Sequence, residues 1–218
     1  AQRGWAWALR GDTGRALEYF ELAARLAPYD MTIQSRLADL RGRGAGAAEK
    51  IAGLKKKLDD SLEDLATRRE LAILYRDAGM PVEACAEFEI ITQRDPADID
   101  ALRGYGELLA ATFRDKEAVP VLERVLVSTP DDWQTHLNLA RLKAVSDPVS
   151  ALAHARRAFG LRPDSVDARL NLAAALVVND RTEEAIGVYQ ELLRLLPAND
   201  LRRQVIASQV EELRRLRP

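Results

Sequence analysis

The chain has 218 residues, 47% of them hydrophobic and 30% charged, with a formal net charge of −2. It is too apolar to be disordered, and it has no strong basic field with which to hold nucleic acid or an anionic membrane. The lone cysteine, Cys85, excludes an internal disulfide and leaves the redox compartment open, and no run approaches 18 consecutive apolar residues.

Five prolines set the ruler for the elements. Pro28, Pro96, Pro130, Pro163 and Pro197 are spaced by 68, 34, 33 and 34 residues, and the first gap is twice 34. A period near 34 predicts an all-α solenoid of helix pairs, each unit covering its neighbour's apolar face. Residues 1–28 read as a truncated first repeat: Gly4 and Trp7 hold first-helix places, and Ala16, Phe20 and Ala23 line one face of the second helix.

Residues 29–62 read as a divergent second repeat. Gly42, Gly44 and Gly46 predict a loose turn and a hinge, Ile51, Leu54, Leu58 and Leu62 trace a helical stripe, and Lys50 stands where other units place a small alanine. Residues 63–198 read as four regular repeats. Twelve residues before each proline stands Ala84, Ala118, Ala151 or Ala185, followed at spacings of four and three by Phe88-Ile91, Leu122-Val125, Ala155-Ala158 or Tyr189-Leu192. The first helices carry Leu71-Ala72 with Tyr75, Tyr105-Gly106 with Leu109, Leu139-Ala140 with Lys143, and Leu172-Ala173 with Leu176. Short side chains at these places let two antiparallel helices approach closely.

Breakers punctuate the units. Gly79 and Pro81 separate one pair of helices, and Asp147-Pro148 marks the turn where the 33-residue unit lost its residue. Asp98, Asp131 and Asp164 fall near helix starts, where a carboxylate suits the dipole. Residues 199–218 predict a capping helix whose Ile206-Ala207 and Val210 continue the first-helix register, with Arg202, Arg203, Glu211, Glu212, Arg214 and Arg215 left to water.

Leu71-Ala72-x-x-Tyr75, Ala84-x-x-x-Phe88 and Pro96, then Tyr105-Gly106, Ala118 and Pro130, then Leu172-Ala173, Ala185, Tyr189 and Pro197 resemble the tetratricopeptide repeat family over residues 1–198. The resemblance implies an α-solenoid of about six stacked helix-turn-helix repeats. It also implies a right-handed superhelix with a concave groove, closed by the C-terminal capping helix.

Signals for chemistry are poor. There is no GxxxxGK[ST], GxSxG or HExxH, and the glycines at 42, 44 and 46 lack both the spacing and the preceding strand of a dinucleotide site. His136 and His154 fall on different helices with no cysteine pair nearby, so the expectation is no enzyme, no metal and no cofactor. Cys85 reads as a small buried hydrophobe.

The groove is the candidate site. Asn138 and Asn171 stand at equivalent points, 33 residues apart, and an amide can pair with any peptide backbone. Members of the family it resembles use an asparagine here to hold extended peptide. Leu137, Leu170 and Val177 add apolar area, and Gln134 and Arg141 add polar contacts. Arg69, Arg76 and Arg103 share the corresponding face of earlier repeats, accompanied by Glu70, Asp100 and Glu107. Ile73 and Gly104 occupy places that a chaperone-tail clamp fills otherwise, which argues against that role.

The expected function is a protein-binding scaffold or adaptor that takes an extended or helical segment of another protein. The alternatives are a self-associating homo-oligomer, using Trp5 and Trp7 of the broken first helix, and a segment of a larger membrane-associated assembly component. Nucleic acid is not an expected partner, because the related pentatricopeptide groove is basic and this chain has no basic groove stripe. No membrane insertion is expected within these residues. A soluble domain is expected, cytoplasmic or periplasmic, with tethering through a segment upstream of Ala1 left open. Arginine outnumbers lysine and alanine is abundant, which suggests a bacterial source.

Overall fold

The computed structural model describes residues 13–27 and 29–215, with side chains from residue 16 onward outside 39–45; Gly4, Trp5, Trp7 and Pro28 lie outside the described residues. Among the described residues there are eleven α-helices and no strand. The chain divides into two compact units between Thr112 and Phe113.

The N-terminal unit holds α1 (Thr13–Leu26), α2 (Met31–Asp60), α3 (Leu65–Asp77), α4 (Pro81–Arg94) and α5 (Ile99–Ala111). The C-terminal unit holds α6 (Asp115–Ser128), α7 (Trp133–Lys143), α8 (Pro148–Leu161), α9 (Val166–Val178), α10 (Thr182–Leu195) and α11 (Arg202–Arg215). Within each unit the helices follow the order of an all-α solenoid, each packing on its neighbours along the chain.

Capping side chains start the first helix of each pair. Asp64 accepts from the Thr67 amide, Asp98 from Ala101, Asp132 from Gln134 and Thr135, and Ser165 from Ala168. Each of these satisfies amides that the helix itself leaves unpaired. Asp131 and Asp164 stand one residue outside the cap and turn instead to Arg157 and Arg162.

The turns that join successive helices have their own rule. Gly79, Phe113 and Asp180 take the left-handed conformation, with φ of 73°, 62° and 57°. Glycine does so without strain, whereas Phe113 and Asp180 must crowd a Cβ against the backbone. The shorter turn between α7 and α8 has lost the left-handed residue. There the Asp147 amide donates to the Lys143 carbonyl at 2.8 Å, and the Asp147 carboxylate caps α8 through the Ser150 amide.

The small residues expected between helices are in place. Ala16, Ala84, Ala118, Ala151 and Ala185 are buried, as are Ala72, Gly106, Ala140 and Ala173. Between α4 and α5, a Cβ on Gly104 would lie 2.9 Å from the end of the Phe88 ring.

The second repeat differs from expectation. No turn forms at Gly42, Gly44 and Gly46: α2 runs unbroken for 30 residues from its Asp30 cap to Ser61. Each glycine costs a helix about 1 kcal/mol against alanine but does not break it, and neither proline nor an interior cap residue interrupts this stretch. Its first half packs through Ile33 and Leu37 on Ala16, Phe20 and Ala23 of α1. Its second half lies along α3, with the Lys55 ammonium 5.7 Å from the centre of the Tyr75 ring.

Candidate functional site

At the end of the C-terminal unit, α9, α10 and α11 leave a notch. Leu170, Asn171, Ala174, Val177 and Val178 follow one another along α9 at helical spacing and form one wall. Val205, Ile206, Gln209, Glu212 and Leu213 of α11 form the other, and Tyr189 of α10 closes the floor. Two adjoining cavities result, of about 360 and 340 Å³. Ile206 and Val210 anchor α11 in the cluster that holds Tyr189, Leu192 and Leu196. Arg203 ties the same helix to the end of α10 by donating to the carbonyls of Leu193 and Leu196.

The notch is apolar with a few polar groups. The Asn171 amide nitrogen donates to the Asp167 carbonyl one turn back at 2.9 Å, which leaves its oxygen as the acceptor for the notch. Arg202 sits at the rim and clasps Asp200 twice, Nε to Oδ1 at 3.0 Å and Nη2 to Oδ2 at 2.6 Å. Those bonds hold the Asp200 carboxyl down to about 2 and neutralise the guanidinium locally. Burial raises the Tyr189 phenol above its usual value, so it stays protonated.

Leu170, Asn171 and Val177 thus meet around one notch. Asn138 does not line it; its oxygen accepts from Arg141 at 3.4 Å. Leu137 is half-buried, and Gln134 and Arg141 are exposed. In the N-terminal unit each of the three arginines has a carboxylate. Arg69 pairs with buried Asp98, Arg76 with Asp77 at 3.0 Å, and Arg103 with Asp100 at 2.9 Å. Each of these charges already has a partner on the same unit.

The contribution of α11 escaped the sequence reading, which saw only a cap. A signal was present: Val205 stands 34 residues after Asn171, one further step of the same ladder.

The two histidines also meet. His136 Nε2 lies 2.9 Å from the Pro130 carbonyl, so that nitrogen carries the proton, and Nδ1 lies 2.9 Å from His154 Nδ1. In the neutral pair His154 donates and His136 accepts; with both imidazoles charged, two N–H groups would collide. Burial, then the charge of His136 and of Lys143, push the His154 pKa below its ordinary value, against weaker opposing pulls from Glu123 and Asp147. The unfolded chain therefore takes up the proton first as pH falls. Stability is fully present above the free-histidine range and declines as pH drops through about 6.5 toward the lower folded value. Urea midpoints measured between neutral and mildly acidic pH are expected to fall less in His154→Gln than in the native chain. Among the described residues no group of three metal-ligand side chains occurs, and no helix is long and apolar enough to cross a membrane.

Two family models, each described as tetratricopeptide repeat, match residues 69–133 and 142–207. No curated protein matches the sequence. Among solved structures, the chain is similar to YrrB, described as a TPR protein with an unusual peptide-binding site. That match has a TM-score of 0.67 at 18% identity, over 90% of this chain and 100% of that one. It is also similar to MamA from Desulfovibrio magneticus, with a TM-score of 0.59 at 17% identity over 91% and 94% of the two chains. The match to yeast Tom70 has a TM-score of 0.60 at 15% identity, over 92% of this chain and 43% of that one. At these identities the likeness is one of fold.

Proposed function

The chain belongs to the tetratricopeptide repeat family, and on that premise we propose that it is a non-catalytic interaction scaffold whose notch between α9, α10 and α11 takes a peptide segment of a partner protein. The observation that carries the reading is the lining itself: an apolar trough with an amide acceptor at Asn171, a second amide at Gln209 and a phenol in the floor. Such a surface suits an apolar side chain seated in the trough, with the neighbouring peptide bond paired to an amide. The peptide-binding site in the description of YrrB supports the reading by analogy of fold.

Peptides selected from a random displayed library against the whole chain provide the probe. Val205 is 61% exposed, so Val205→Glu leaves the core intact while placing a carboxylate in the trough. Affinity for the selected peptides is expected to fall at least about tenfold, with an unchanged melting temperature, because an unpaired charge beside apolar ligand atoms costs more than 1.4 kcal/mol. Asn171→Ala is expected to weaken binding to a smaller degree. Unchanged affinity in Val205→Glu would remove the notch from the account.

A further inference from the structure

The straight form of α2 leaves a groove beside it. Lys50, Gly53, Leu54 and Lys57 from its second half face Glu70, Ile73, Leu74 and Asp77 of α3 across about 500 Å³. The two walls are opposite in sign, each with its charges seven residues apart, over an apolar floor. Nothing lies within 4 Å of where a Cβ on Gly53 would be.

Counting by the repeat identifies what fits there. Leu37-Ala38 precedes Leu71-Ala72 by 34 residues, and Gly44–Gly46 precede the turn at residues 78–80 by the same step. Residues 31–43 therefore carry the sequence of a repeat's first helix, and the groove is where that helix would stand in a folded pair. First helices of adjacent repeats touch in the C-terminal unit, where α7 contacts α9. In such a stack Arg36 comes beside Glu70, one period earlier and opposite in charge. A straight helix cannot pack its first half on its second, so in this form the chain's own residues 31–43 cannot fill the groove.

We propose that residues 31–43 of a second copy of this chain fill the groove between α2 and α3, a reciprocal exchange that makes a dimer. Two hairpins fix the register of the contact. Arg68 meets Glu87 at 2.8 Å across 19 residues, and His136 meets His154 across 18. One period before Arg68 and Glu87 stand Gln34 and Gly53, so these two residues meet between copies.

The test uses full-length chains carrying Cys85→Ala and one added cysteine. One chain has Gln34→Cys and the other Gly53→Cys, mixed and mildly oxidised. A disulfide-linked dimer that forms in the mixture, and not from either chain alone, is the expected result. A chain carrying both cysteines that closes as a disulfide monomer, with no cross-link in the mixture, overturns the proposal by showing that the groove is filled from within. Absence of either product also overturns it. Light scattering on the unaltered chain is independent of any substitution. A mass rising with concentration from monomer to dimer is expected, and a monomer at every concentration overturns the idea. Failure here leaves the notch of the C-terminal unit untouched.

Discussion

Phe88→Ala is expected to destabilise the N-terminal unit by about 3–5 kcal/mol, seen as a lower urea midpoint at unchanged slope. The ring is 3% exposed and fills the space between α4 and α5. Its far edge lies where a Cβ on Gly104 would stand 2.9 Å away, so the two residues share one volume. Alanine at 88 leaves a cavity that α5 cannot close, because Gly104 has no side chain to advance. Gly104→Ala alone should push the ring aside at a cost of about 1–3 kcal/mol. Combined with Phe88→Leu, the same change is expected to be partly rescued, since volume moves from ring to methyl. A double-mutant cycle measures that coupling; strict additivity would mean the two residues do not compete for space.

Leu176→Ala is expected to cost about 2–5 kcal/mol and to act on the C-terminal unit. Leu176 is 2% exposed and packs among Ala140, Leu152, Ala155, Leu172, Ala175 and Ala185, where neighbouring alanines are too short to fill a vacated site. A solenoid's stability is a sum of terms between neighbours, so the damage should be greatest in the repeats beside the lesion. Hydrogen exchange is expected to show α9–α11 opening more readily while α3–α5 keep their protection. Because α9 forms one wall of the notch, affinity for the selected peptides should fall with it. Uniform loss of protection along the whole chain would contradict this.

The fold was legible wherever one residue type recurred at a fixed offset from proline. The five alanines twelve residues before the prolines are all buried, because a repeated geometry demands the same short side chain each time. The second repeat was misread because glycine was given the weight of a breaker. Flanked by leucine, alanine and arginine, Gly42, Gly44 and Gly46 only weaken α2. The pairing of Arg103 with Asp100 lies within one helical turn and could have been read from the chain, but that of Arg69 with Asp98 spans 29 residues and needs the stack. The notch was half visible. Its α9 wall has apolar residues at regular spacing, whereas on α11 the register pointed to the buried Ile206 and Val210 and not to Val205 and Gln209 beside them, which line the notch. The contact between His136 and His154 crosses a hairpin whose register no single motif announces.

The turn between α7 and α8 omits one residue, yet α8 and α9 begin at their own caps, Asp147 and Ser165, and keep their places in the core. Each helix is thus re-indexed by its own first hydrogen bond, and an error of one residue in a loop ends there. A chain built so can gain or lose residues between helices without shifting the frame of those that follow. Its length is free to drift over generations while the spacing of its inner surfaces is held.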